Sequence, residues 1–194
     1  MLQNYEIYLI LDGNLDGDNL QNQINKITTE LETQLLASNI SIENEGLKKF
    51  VYPIKKQWSG NYISITFDLS LEKTIELRKL EKKLNLTSEI LRYLLLNQTE
   101  FLKLKSKEKE YKLEFENRQD FNKGKKDKQC YIKYLGLQAI DFRDSSLLSE
   151  FTSPYAKIFD RKRTGTSSKY QRKLSQAIKR ARHMGLLPFS SKWI

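Results

Sequence analysis

The residues of this chain best suited to chemistry lie near its C-terminal end, and they are cations. From residue 167 to 184 the sequence reads SSKYQRKLSQAIKRARHM, with Tyr170, Leu174, Ala177, Ile178 and Ala181 at successive spacings of four, three, one and three. That periodicity predicts a helix with a single apolar stripe. Lys169, Arg172, Lys173, Lys179, Arg180 and Arg182 occupy the rest of its circumference, and His183 stands at its end. Just upstream, Arg161, Lys162 and Arg163 lead through Thr164, Gly165 and Thr166, in a loop that can fold back towards the helix start. Guanidinium groups make bidentate contacts to phosphate, and the free amides of a helix start add oriented donors. These fourteen positions, Arg161 to Thr166, Lys169, Tyr170, Arg172, Lys173, Lys179, Arg180, Arg182 and His183, are the candidate phosphate-binding residues.

The distribution of charge supports a polyanionic partner. Net charge over the 194 residues is +10, yet residues 1–100 carry −3, residues 101–128 carry +4 and residues 129–154 carry −1. The last forty residues hold the remaining +10, with Asp160 as their single acid. Mutual repulsion on that scale requires an anionic surface. A membrane-surface helix would present bulky Leu, Phe or Trp on its apolar face, whereas this one offers two alanines and a tyrosine, so nucleic acid is the expected partner. There is no run of about 18 apolar residues, so no membrane helix is expected.

Other constellations give little. Asp12, Asn14, Asp16 and Gly17 match the opening of a calcium loop, but its twelfth position is Gln23 instead of a bidentate Glu, and a strand precedes it. A strand-to-helix turn accounts for the same residues. Tyr62 and Phe67 differ by an odd number and so point to opposite sides of a strand, which argues against an RNA-reading sheet of the RRM type. One histidine and one cysteine cannot assemble a zinc site or a nucleophile–base pair. No enzyme activity, metal or cofactor is expected.

The elements that position the cations read as follows. Residues 5–12 alternate as a strand, with Tyr5, Ile7, Leu9 and Leu11 on one face. Leu20, Ile24, Ile27, Leu31 and Leu35 make a helical stripe. Two strands are expected at about 40–56 and 61–69, separated by a turn at Ser59-Gly60-Asn61, with Ile63, Ile65, Phe67 and Leu69 pointing inward. Ser70 can cap a second helix that buries Leu71, Ile75, Leu80 and Leu84, and residues 89–96 close the domain as a strand. The order βαββαβ is that of a ferredoxin-like split βαβ unit. Residues 1–98 therefore form an α+β domain. Residues 99–128, dense in Lys and Glu, read as a charged linker, and residues 129–194 as a small all-α basic domain in which Leu147, Leu148 and Phe151 mark a short helical turn. Gly185 is the expected left-handed stop of the long helix.

The segment RKRTGTSSKYQRKLSQAIKRARHMGLLPF, residues 161–189, closely resembles bacterial small-subunit ribosomal protein eighteen, and IDFRDSSLLSEF, residues 140–151, extends the likeness. Some members of that family open with paired cysteines; Cys130 here has no second one, which argues against a metal. In residues 1–98, YEIYLILDGNLD and GLKKFVYPIKKQWSGNYISITFDL resemble bacterial small-subunit ribosomal protein six. The two families are partners on the platform of the small subunit. The resemblance thus implies a structural constituent of that subunit, a fusion of two partner proteins that dock on each other and contact small-subunit rRNA and neighbouring platform proteins. The ribosome would be that of a bacterial cytoplasm or of an organelle. The alternative is a free regulator that binds an mRNA leader.

Overall fold

The computed structural model describes residues 2–106, 132, 137 and 139–191. The chain divides into two compact units, Met1–Thr99 and Glu100–Ile194. Residues 107–131, Cys130 among them, lie outside the described residues, as does most of the expected linker; its first part, 99–106, is helical.

The first unit runs β1 (Leu2–Asp12), α1 (Gly17–Thr33), β2 (Ser38–Ile54), β3 (Gln57–Ser70), a 3₁₀ turn (Leu71–Ile75), α2 (Leu77–Leu86) and β4 (Ile90–Asn97). The four strands are antiparallel in the order β2-β3-β1-β4, so this is the ferredoxin-like sheet that the pattern predicts. Odd-numbered residues of β1 and β3 (Tyr5, Ile7, Leu9, Leu11, Ile63, Ile65, Phe67, Leu69) pack with Ile24, Ile27 and Leu31 of α1 and Leu77, Leu80 and Leu84 of α2. Tyr5 and Phe67 are cross-strand partners whose rings stack at 6.0 Å. Tyr62, facing away from Phe67, lies on the other side of the sheet with Glu6, Tyr8, Ile10 and Ser64, all buried. There Ser64 donates to Glu6 at 2.7 Å and the Tyr8 hydroxyl donates to Glu45 at 2.7 Å. Burial pushes the Tyr62 phenol well above its ordinary pKa, so it stays neutral.

Two expectations fail, for local reasons. The β2–β3 turn is made by Lys55 and Lys56, at φ 47° and 69°, between the paired residues Ile54 and Gln57. Gly60 instead sits inside β3, paired with Lys48 and Asp12, where an added Cβ would lie 2.7 Å from Ile10 Cγ2 and 2.7 Å from Phe50 Cζ. The glycine marks a close approach between side chains and not a turn. The second helix also begins later than predicted. Leu71–Ile75 is a 3₁₀ turn with no side-chain cap from Ser70, and it leaves Leu71 47% and Ile75 75% exposed. The tighter pitch resets the register, so the buried stripe starts at Leu77. The calcium-like segment is a strand-to-helix turn, in which Asp12 accepts from the Asn14 amide at 2.8 Å and from Gln57 at 2.6 Å.

The second unit contains α3 (Ser145–Ser149), α4 (Arg161–Thr164) and α5 (Ser168–His183). Asp144 caps α3 by accepting from the Leu147 amide at 3.0 Å, and Leu148 and Phe151 are buried. On α5 the buried residues are Leu174, Ala177, Ile178 and Ala181, with Tyr170 half-buried, which is the predicted stripe. Gly185, at φ 70°, ends the helix. Its amide reaches the Arg182 carbonyl at 3.1 Å, and the Leu186 amide reaches that of Ala181 at 2.9 Å, the paired bonds of a Schellman stop.

Candidate nucleic-acid interface

Every candidate RNA-binding residue belongs to α4, α5 or the turn between them, and the local bonding explains why that turn holds its shape. Asp160, the single acid of the basic region, accepts from the Arg163 amide at 3.0 Å and so caps α4. Its charge serves the helix start. Gly165 takes the left-handed conformation at φ 68° that ends α4 after one turn, its amide bonded to the Arg161 carbonyl at 2.9 Å. The chain then turns into α5. Thr166 is buried, and its hydroxyl bonds to Thr164 at 3.0 Å and to Gln171 Oε1. Gln171 in turn donates from Nε2 to the Phe159 carbonyl at 2.7 Å. The Thr-Gly-Thr turn is thus stitched from inside.

This sorts the candidates. Arg161, Lys162, Arg163, Gly165, Lys169, Arg172, Lys179 and His183 are exposed, while Tyr170, Lys173, Arg180 and Arg182 are half-buried. Thr164 and Thr166 direct their hydroxyls to each other within the network above. Arg182 donates to the Ala156 carbonyl. Burial lowers the pKa of Arg180 and Arg182, but a guanidinium remains charged at neutral pH.

Three of the exposed cations, Arg161, Arg172 and Lys179, line a groove. Arg161, Ser168, Gln171, Arg172, Ser175, Gln176 and Lys179 border a concavity of about 490 Å³ along α5, none of them acidic. Ser168, Arg172, Ser175 and Lys179 follow helical spacing along one side for about 16 Å. Arg161 reaches the helix start and donates to Ser168 at 2.5 Å. A groove of one charge sign with neutral hydrogen-bonding groups between the cations can hold a ribose–phosphate strand. Sequence reasoning named the cations but not Ser168, Ser175 or Gln176; their spacing along the helix was the available signal.

An internally braced helical unit that presents a groove of cations with no acid in its lining is the arrangement of an RNA-binding protein. Comparison with known proteins makes this specific. Residues 136–187 match the family model for ribosomal protein S18, and residues 4–97 match that for ribosomal protein S6. Proteins named small ribosomal subunit protein bS18 from Phocaeicola vulgatus and Bacteroides fragilis are each 49% identical over 65 residues, 34% of this chain and 73% and 72% of theirs. A crystal structure of 30S ribosomal protein S6 from Thermotoga maritima superposes with a TM-score of 0.48 at 24% identity, covering 56% of this chain and 99% of that one. The chain belongs to the ribosomal protein S18 family through its C-terminal unit and joins it to an S6 domain in one polypeptide. It is a ribosomal protein, an rRNA-binding structural constituent of the small subunit and not an enzyme.

Proposed function

We propose that the chain acts in the platform of the small subunit, with the S6-like unit docked on the S18-like unit and the α5 groove laid along the rRNA backbone. The observation that carries this reading is the groove bordered by Arg161, Arg172 and Lys179 with no acid among its lining residues. Fourteen positions were expected to touch RNA; the exposed ones (Arg161, Lys162, Arg163, Lys169, Arg172, Lys179 and His183) form the direct surface in this proposal, and Thr164, Gly165 and Thr166 hold the turn that presents it. Docking of the two units is supported by charge: residues 1–100 carry −3 and the last forty residues carry +10, so the first unit can meet part of the basic surface while the remaining cations face phosphate. Residues 1–98 and 129–194 are the functional modules, and 99–128 is a tether between them. A tether converts their association into an intramolecular step at roughly millimolar effective concentration. The relatives named above are bacterial, which fits a bacterial-type ribosome, whether in a bacterial cytoplasm or in an organelle.

Cleavage at a protease site introduced near Gly124 tests the docking. The halves should stay associated at micromolar concentration, and the S18-like half should bind rRNA poorly alone and recover when its partner half is restored. Full binding by the S18-like half on its own contradicts the docking proposal.

A further inference from the structure

A second concavity in the C-terminal unit differs in chemistry from the phosphate groove. It is about 300 Å³ in volume and is bordered by Glu150, Phe151, Phe159, Arg163 and Thr164. Its central feature is a stack: the Arg163 guanidinium lies over the Phe159 ring, 3.8 Å from the centroid. Both members are held from the backbone. The Phe159 amide donates to the Phe151 carbonyl at 2.9 Å, the Phe159 carbonyl accepts from Gln171 at 2.7 Å, and the Arg163 amide is fixed by the Asp160 cap at 3.0 Å. Phe159 is half-buried and Arg163 is exposed, so the ring backs a guanidinium that belongs to a solvent-exposed residue.

We propose that this Phe159–Arg163 stack is a seat for one unpaired nucleobase of the bound RNA. The proposal rests on the RNA-binding reading above and assigns a ligand to a place that reading leaves unassigned. Unpaired bases stack on arginine planes as well as on aromatic rings, and a guanidinium already backed by a ring offers its free face at little entropic cost. The carboxylate decides between base and phosphate. Glu150 on the rim would repel a phosphate, whereas it accepts hydrogen bonds from the amino edge of a base. The α5 groove has no acid among its lining residues and takes the backbone; this pocket has one and takes a base. Cytosine, adenine and guanine present such an amino group, while uracil offers one N–H flanked by two carbonyl oxygens that face the carboxylate unfavourably.

The test uses the full chain and a transcript of full-length small-subunit rRNA, in filter-binding titrations at several salt concentrations. Arg163→Lys keeps the charge and loses the plane. It should weaken binding about tenfold through lost stacking while leaving the salt slope unchanged. Arg163→Lys binding within twofold of the parent overturns the proposal, whether or not its thermal stability falls, because the stack would then be structural or the contact a simple phosphate one. Competition supplies the second measurement. Oligocytidine should displace the transcript from the parent chain several-fold better than oligouridine, and Glu150→Gln should narrow that difference. Equal competition by the two oligomers overturns the base-edge assignment. Failure of the parent chain to bind the transcript at all overturns the RNA-binding reading, and the base seat with it.

Discussion

Arg182 donates from its guanidinium to the backbone carbonyl of Ala156, joining the last turn of α5 to a residue 26 positions earlier. Ala156 is buried and left-handed at φ 57°, in a turn closed by its own amide bond to Ser153 at 2.8 Å. The arginine therefore works inside the fold, although it sits in the same basic run as Arg172 and Lys169. Arg182→Ala should lower stability by about 1–3 kcal/mol, because a buried carbonyl loses a charged donor. Arg172→Ala and Lys169→Ala, on the exposed face, should change it by less than about 0.5 kcal/mol. Chemical denaturation of the three variants, followed by circular dichroism, checks the division.

Gly60 gives a prediction for the sheet. An added methyl would meet Ile10 Cγ2 and Phe50 Cζ at 2.7 Å and the Leu11 carbonyl oxygen at 2.8 Å, and that backbone oxygen cannot swing aside. Gly60→Ala should destabilise the S6-like unit by about 1–3 kcal/mol, the usual range for overpacking. Urea midpoints compared at equal slope measure it.

Lys56 predicts the opposite sign. At φ 69° in a two-residue hairpin it occupies a conformation that glycine adopts without strain. Lys56→Gly should raise stability by up to about 1 kcal/mol, since relief of the left-handed strain outweighs the added chain entropy. Lys55 has the same strain, but its ammonium donates to the Ile90 carbonyl at 2.9 Å, so Lys55→Gly should gain less. Thermal melts of the two variants compare them directly.

Salt dependence tests the phosphate groove. If the C-terminal unit holds about six phosphates, binding should fall with log salt at a slope near −4 to −5. Arg161, Arg172 and Lys179 border the groove, and changing all three to Ala should reduce the slope by about 2–3. An unchanged slope in the triple variant contradicts the groove assignment.

Much of this could be read from the residues alone, and the exceptions have physical causes. Alternation, strict in Ile63–Leu69 and looser in Tyr5–Leu11, where Tyr8 and Ile10 are buried on the other side, identified the inward face of the sheet, because a period of two admits one register. The α5 stripe and its Gly185 stop were equally legible. The β2–β3 turn was not: glycine is the usual residue for positive φ, yet here two lysines take it and glycine answers a packing demand. The 3₁₀ turn at Leu71–Ile75 was hidden because its spacing continues the pattern of an α-helix. In the basic unit the sequence revealed which residues carry charge but not which are spent internally. Thr166 and Arg182 became distinguishable from Arg172 only when Gln171 and Ala156 were placed beside them. The pairing of Phe159 with Arg163 lay at a spacing of four, but across a helix start, where helical periodicity does not apply.

One chain supplies both an S6-like and an S18-like protein to the small subunit. Quantitative mass spectrometry of small subunits purified on sucrose gradients tests it most directly. Peptides from residues 1–98 and from residues 129–194 should be present in equal amounts, stoichiometric with the other small-subunit proteins, together with a peptide that spans the 99–128 tether. Recovery of the chain only in the soluble fraction, or of one half in the subunit without the other, would contradict the account.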